Sequence, residues 1–123
     1  MRKKLSQRKP EEPLLQVTKP QIDYRELTKD LLEKSNQLFN NNQRKVAHAI
    51  LSQAIRYYYS QNLKIYKELT NFELLSQLRQ SKPTDFGKVR DWLLLCGSVE
   101  YAKYRSDDAE FKAALQNFSK EVT

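Results

Sequence analysis

Apolar residues recur at helical spacing along most of the chain, from residue 23 to residue 122. The strongest signal lies between residues 43 and 62, where apolar and small side chains return every three or four positions over several turns. Weaker repeats of the same kind flank it on both sides. The pattern predicts five helices and no strand. The helices run from about Asp23 to Asn40, Gln43 to Asn62, Thr70 to Lys82, Phe86 to Tyr104 and Asp108 to Val122.

Each predicted helix has one apolar face that would turn towards a common core. The small residues Ala47 and Ala54 on the second helix would let a neighbouring helix approach closely. The predicted inward residues, in chain order of the five helices, are Tyr24, Leu27, Leu31 and Leu38; Val46, Ala47, Ile50, Leu51, Ala54, Ile55 and Tyr58; Phe72, Leu75 and Leu78; Val89, Trp92, Leu93, Cys96, Val99 and Ala102; and Phe111, Ala114, Leu115, Phe118 and Val122.

Local signals mark where these helices begin and end. Asp23 and Thr70 are good N-cap residues, and each precedes a glutamate, Glu26 or Glu73, at the spacing of a capping box. Residues 40–42 are three asparagines, which tolerate left-handed backbone conformations and are typical of a turn. Because this connection is short, we expect the first two helices to form an antiparallel hairpin.

The composition agrees with an all-α fold. The 123 residues include only two glycines and four prolines, too few for the many tight turns of an all-β protein. Three of the prolines fall within residues 1–20, which we expect to form a flexible basic tail. Residues 21–123 are expected to form one compact bundle of about five helices. Leu14, Leu15 and Val17 are the apolar exception in the tail, and they either remain part of it or dock onto the helices.

No set of residues capable of catalysis or of holding a metal or cofactor is found. The single cysteine, Cys96, and the single histidine, His48, exclude an intramolecular disulfide and the usual Cys/His zinc sites. Cys96 falls on an apolar helix face, where a thiol behaves as a small hydrophobe. His48 has basic neighbours, so we expect a surface or boundary residue. Arg44 and His48 resemble the Arg-then-His arrangement of some helical ribonucleases, but the gap between them is shorter.

The net charge of +7 is concentrated at the N-terminus. Residues 11–123 carry only +2, so the body of the chain is nearly neutral and does not indicate nucleic-acid binding by charge alone. The tail either has no function, or contacts acidic lipid head groups, or marks the cytoplasmic end of a membrane helix that precedes it in a longer chain. The candidate lipid contacts are Arg2, Lys3, Lys4, Arg8 and Lys9.

The sequence favours a cytoplasmic location. No stretch approaches the roughly 20 apolar residues of a membrane-spanning helix. The basic N-terminus is followed by polar residues and prolines, unlike a signal peptide. A single cysteine fits a reducing compartment.

Tyrosines cluster at the end of the second helix and near the end of the fourth. Three consecutive tyrosines, residues 57–59, span about 200° of a helix surface, so we expect Tyr57 or Tyr59 to be at least partly exposed. The cluster either seals the rim of the core or forms a contact surface, where tyrosine is enriched. Nearby basic residues also leave open the binding of single-stranded nucleic acid. The candidate partner-binding residues are Tyr57, Tyr59, Tyr66, Tyr101 and Tyr104.

Three segments carry a resemblance to a known family. Residues 47–57 read AHAILSQAIRY, residues 70–78 read TNFELLSQL, and residues 99–104 read VEYAKY before a polar turn. With these motifs the chain resembles the helical domain of unknown function at the C-terminus of membrane-anchored transglutaminase-like proteins. The resemblance covers about residues 35–122, and the Thr-Asn-x-Glu segment is its most specific part. The family's membrane helix, its catalytic domain and the usual glycine before the second helix are absent.

The resemblance implies a cytoplasmic domain that follows a membrane helix and has no known activity of its own. The leading hypothesis is therefore a non-enzymatic protein-interaction module at the cytoplasmic face of a membrane, with an unidentified protein partner. Two other hypotheses stay open. One is a tetratricopeptide-like scaffold that binds a peptide, for which no second repeat is found. The other is single-stranded nucleic-acid binding through the tail and the tyrosines.

Overall fold

The computed structural model describes residues 23–101 and 108–122, and within these ranges it contains five α-helices and no strand. The predicted all-α fold is confirmed. The tail predicted for residues 1–20 and the polar turn at residues 106–107 lie outside the described residues. The helices are α1 (Tyr24–Asn40), α2 (Arg44–Asn62), α3 (Asn71–Ser81), α4 (Pro83–Tyr101) and α5 (Asp108–Val122).

The α2 helix is the centre of the bundle and packs against all four other helices. The first two helices run antiparallel, as predicted, because Tyr24 faces Tyr58 at one end of the pair while Ser35 meets Ala47 nearer the other. The turn between them places Asn42 at φ 64°, in the left-handed region that asparagine tolerates.

Small polar residues allow the close approach of α1 to α2. The Ser35 hydroxyl donates to the Ala47 carbonyl across the helix pair at 2.7 Å, and the Thr28 hydroxyl donates to the Tyr24 carbonyl at 2.7 Å. Both hydroxyls are therefore buried without an unmet hydrogen bond. The buried face of α1 is centred on Thr28, Leu32, Ser35 and Phe39.

This face differs from the predicted one. Tyr24, Leu27, Leu31 and Leu38 are only half-buried. The predicted face was wrong because hydrophobicity does not mark Thr28 and Ser35, which are buried with their hydroxyls bonded to backbone carbonyls.

Two further residues predicted to point inward are exposed. Val46 is 47% exposed and, with the half-buried Ile50 one turn later, lies on a side of α2 that reaches the surface. Phe72 is 79% exposed because α3 turns Leu74 and Leu78 towards the core, and Phe72 lies about 200° around the helix from Leu74.

The inward faces of α4 and α5 are confirmed where they are described. On α4, Val89, Trp92, Leu93, Cys96 and Val99 are all buried. The α4 helix begins at Pro83, three residues earlier than predicted, with proline at a first-turn position that suits it. On α5, Phe111, Ala114, Phe118 and Val122 are buried, and Leu115 is half-buried. No helix among the described residues is both long and apolar enough to cross a membrane.

The predicted capping box of α3 is present. The Thr70 hydroxyl accepts from the Glu73 N–H at 3.1 Å, and the Glu73 carboxylate accepts from the Thr70 N–H at 2.9 Å. The second of these bonds lowers the pKa of Glu73. At α1 the prediction was wrong in detail, because Asp23 accepts from the Arg25 N–H at 3.0 Å and not from the third helical residue.

Replacing Thr70 by alanine is expected to lower the free energy of unfolding by about 1 kcal/mol, because the first turn of α3 loses a side-chain acceptor. Chemical denaturation of the full chain measures the difference. The matched control is Thr70→Ser, which keeps the hydroxyl and should differ little from the parent protein. Equal destabilisation by serine and alanine would show that the hydrogen bond contributes nothing.

Candidate functional site

His48 is fully buried, which corrects the prediction of a surface or boundary residue. Its ring lies 4.9 Å from that of Phe111 and 6.0 Å from that of Phe39, and its Nδ1 donates to the Arg44 carbonyl at 2.7 Å. Arg44 itself reaches outwards, over the Phe39 ring and to Asp108 at 2.9 Å. The basic neighbours thus lie beside a side chain that belongs to the core.

Burial lowers the pKa of His48 below its ordinary value of 6.5, and the Arg44 guanidinium lowers it further; the hydrogen bond to the Arg44 carbonyl and the charge of Glu110 oppose the shift. Between this lowered pKa and pH 6.5 the unfolded chain binds a proton that the folded chain does not. The contribution of the neutral His48 side chain to the stability of the fold is therefore complete above pH 6.5, and it is lost as the pH falls below that value.

The titration of His48 is consequently expected to lower stability on acidification from about pH 7 to about pH 5.5, and the raised pKa of the partly buried Glu100 acts in the opposite direction. Denaturation of the parent protein and of His48→Gln across this range measures the slope. The variant should lose most of it, since the chain has one histidine. An unchanged slope in the variant would contradict the assignment.

Cys96 is a structural residue, as predicted. It is fully buried, and burial raises the pKa of its thiol to about 12. A thiolate, which nucleophilic catalysis or metal binding needs, is thus disfavoured. Within residues 23–101 and 108–122 no group of three or more His, Cys, Asp or Glu side chains could hold a metal ion.

The tyrosines of α2 do not form an exposed rim. Tyr57 and Tyr59 are both buried, and burial raises the pKa of each. The expectation that one of them would be exposed was wrong because helices surround α2, so that an arc of 200° can be covered. Tyr66 is half-buried. The remaining predicted contacts lie outside what the structure describes: the Tyr101 side chain, Tyr104 and the tail residues Arg2, Lys3, Lys4, Arg8 and Lys9.

A different surface combines exposed aromatic and cationic groups. The α3–α4 groove, of about 360 Å³, is lined by Phe72, Leu75, Ser76, Arg79, Gln80, Phe86 and Arg90. Phe72 has the most exposed large apolar side chain in the described part of the chain. The Arg79 guanidinium lies 4.7 Å from the centre of the Phe86 ring, and that of Arg90 lies 5.6 Å from it.

The groove follows from how α3 and α4 are joined. Lys82 is the one non-helical residue between them, so the two helices are close neighbours. Leu74 and Leu78 anchor α3 to the core, which leaves Phe72 and Arg79 on the outer side beside α4. Cation–π contacts place both guanidinium groups next to the Phe86 ring.

The α3–α4 groove is positively charged. No acidic residue from the described part of the chain lines it. No carboxylate of the described residues lies within ion-pair distance of Arg79, and Arg90 has an exposed partner, Asp91, at 3.3 Å. The groove therefore presents apolar surface and positive charge together, a combination that suits a ligand with carboxylates next to apolar groups.

A second groove, of about 450 Å³, lies between α1 and α5 but lacks these features. Its Lys112 donates to Asn36 and to Asn40, and Lys29 pairs with Glu26 at 3.7 Å. Its cations are thus engaged within the protein, and none of the most exposed apolar side chains lines it.

Sequence reasoning missed the α3–α4 groove because its residues follow the same period as a core face. Phe72, Leu75 and Arg79 are spaced by three and four, and the first two were assigned to the interior. The one signal in the sequence that this face lies at the surface was Arg79, a charged residue at the next position of that apolar stripe.

Comparisons with protein-family models, with curated proteins and with solved structures find no match to this chain.

Proposed function

We propose that this chain is a non-enzymatic protein-interaction module whose α3–α4 groove binds an acidic and apolar peptide segment of a partner protein. The observation that carries the proposal is the exposed Phe72 ring beside the guanidinium groups of Arg79 and Arg90. Aromatic residues and arginine supply most of the energetically dominant contacts in protein interfaces.

The groove has the means to bind such a segment. Burying the exposed Phe72 ring under a partner side chain contributes on the order of 1.5–3 kcal/mol. Carboxylates that reach Arg79 and Arg90 form charge-assisted hydrogen bonds, which are stronger than neutral ones. Peptides that lack either the apolar or the acidic element would lose one of these two contributions.

The non-enzymatic part of the proposal is supported by the chemistry of the two most reactive side-chain types. His48 and Cys96 are both fully buried, and their pKa values are shifted towards the neutral form. Neither is placed to take a proton from a substrate or to attack one.

The resemblance to the domain of membrane-anchored proteins extends the proposal to location. We place the module at the cytoplasmic face of a membrane. The five cations of the first ten residues support this, since such clusters are attracted to acidic lipid head groups and flank membrane helices on the cytoplasmic side.

The two other hypotheses have less support. A tetratricopeptide-like scaffold stacks its helix pairs in a row, whereas α2 here packs against each of the other four helices. Binding of single-stranded nucleic acid was expected to use exposed tyrosines, yet Tyr57 and Tyr59 are buried.

Selection of peptides from a random phage-displayed library on the full chain tests the groove. Selected sequences are expected to combine Asp or Glu with Leu, Ile, Val or Phe. Their affinity should fall by about tenfold or more in Arg79→Glu and in Phe72→Ala. The matched control is Leu94→Ala, which removes an exposed apolar side chain of α4 outside the groove and should leave affinity unchanged.

Failure to enrich acidic and apolar peptides, or equal binding by Arg79→Glu, would overturn the proposal. Tighter binding of a single-stranded oligonucleotide than of any selected peptide, lost in the same two variants, would replace the protein partner by nucleic acid.

A further inference from the structure

We propose that residues 11–17 of this chain occupy the α3–α4 groove and compete there with the partner peptide. The inference rests on the proposed function, because it assigns a regulatory occupant to the same groove. It is carried by the chemistry of the segment, by the position of its attachment to α1 and by the charge of the groove.

The segment has the composition that the groove favours. Residues 11–17 read EEPLLQV, so two adjacent carboxylates precede three apolar side chains within seven positions. Glu11 and Glu12 are the acidic partners for the two arginines, and Leu14 and Leu15 are the apolar partners for Phe72. The described part of the chain supplies no carboxylate to Arg79, so docking of the segment would give that guanidinium an ion pair.

The helix to which the segment is attached, α1, has side-chain contact with the connection between α3 and α4. The start of α1 is linked to the α3–α4 connection by two hydrogen bonds: the Asn62 side chain donates to the Tyr24 hydroxyl at 3.4 Å, and the Lys82 ammonium donates to the Asn62 side chain at 2.6 Å. Lys82 lies three residues after Arg79 and four before Phe86. The first residue of α1 is thus connected, through the Asn62 side chain, to the residue that joins the two helices of the groove.

The intervening chain is long enough to reach it. Residues 17 to 23 can span about 20 Å when extended, and each further residue adds about 3.3 Å. Glu12 is eleven positions before Asp23, so the extended chain between them can span about 36 Å.

Covalent attachment makes even a weak contact effective. A short tether holds the segment at an effective concentration of about 1 mM, so an intrinsic dissociation constant near 0.1 mM would fill the groove about nine-tenths of the time. The apparent affinity of a partner peptide is then about tenfold weaker than for an empty groove.

Site-specific photo-crosslinking tests the docking. A benzophenone amino acid in place of Ser76, on the groove lining, is expected to crosslink within the same molecule to residues 11–17, with a yield that does not change on dilution. The same group in place of Leu94, which is 60% exposed and outside the groove, is the control and should give no such product.

Charge reversal separates a specific contact from mere proximity. Arg79→Glu with Arg90→Glu should reduce the intramolecular crosslink several-fold, and adding Glu11→Arg with Glu12→Arg should restore it. Both arginines are exposed, so circular dichroism should show unchanged helicity. Crosslinks that persist in the variant with Arg79→Glu and Arg90→Glu would overturn the inference. Crosslinks that never involve residues 11–17 would also overturn it.

Peptide affinity distinguishes this inference from the function on which it rests. Glu11→Lys with Glu12→Lys leaves the helices untouched and should bind a phage-selected peptide about tenfold more tightly than the parent chain. Equal affinity would refute the competition while leaving the interaction module in place. An intramolecular crosslink without binding of any selected peptide would refute the interaction module and leave the docking of residues 11–17 in place.

Discussion

Replacing Trp92 by alanine is expected to lower the free energy of unfolding by about 3–5 kcal/mol. Trp92 is 8% exposed on the inner face of α4, and its ring lies 5.6 Å from that of Phe118 on α5. Truncation removes the largest side chain that α4 contributes to the core. Because the surrounding helices relax only in part, a cavity remains and adds to the lost transfer free energy.

Urea denaturation of the full chain measures this loss. The matched control is Leu94→Ala on the same helix, whose side chain is 60% exposed and whose removal should change stability by no more than about 0.5 kcal/mol. Similar values for the two variants would show that the inner face of α4 has been assigned to the wrong residues.

Replacing Phe111 by alanine is expected to cost a comparable amount, about 3–5 kcal/mol. The Phe111 ring is fully buried and stacks on that of Phe39 with centroids 4.1 Å apart and an interplanar angle of 3°. It also covers the edge of the His48 ring. The substitution therefore removes the buried aromatic contact between the first turn of α5 and the helices α1 and α2.

A second readout separates this effect from general loss of packing. Opening a cavity beside His48 lets water approach the imidazole, so the pKa of His48 should rise towards its ordinary value of 6.5 in folded Phe111→Ala. Nuclear magnetic resonance titration of the imidazole follows the change. Phe72→Ala removes the same atoms from an exposed site, and it should alter neither stability nor the pKa of His48.

The helices and most of their ends could be predicted because they depend on residues that are close together in the sequence. The capping box at Thr70 and Glu73, the asparagine turn and the inner face of α4 each depend on residues within a few positions of one another. The burial of Tyr57, Tyr59 and His48 could not be predicted in the same way. It depends on how many helices surround α2, which is a property of the assembled bundle and not of the α2 sequence.

The α3–α4 groove could not be predicted from the sequence for a related reason. A periodic apolar stripe shows that one helix face is distinctive, but it does not say whether the core or a partner covers it. On α3 the stripe through Phe72 and Leu75 lies outside, while Leu74 and Leu78 lie inside. Only the packing of α3 against α2 and α4 distinguishes these two faces.

Amide chemical-shift mapping with a phage-selected acidic peptide tests the α3–α4 groove most directly. Titration of the isotope-labelled chain should move the signals of Phe72, Arg79, Phe86 and their neighbours, and Arg79→Glu should abolish these shifts. Shifts concentrated instead at Lys29 and Lys112, in the groove between α1 and α5, would contradict the proposal that the chain binds its partner between α3 and α4.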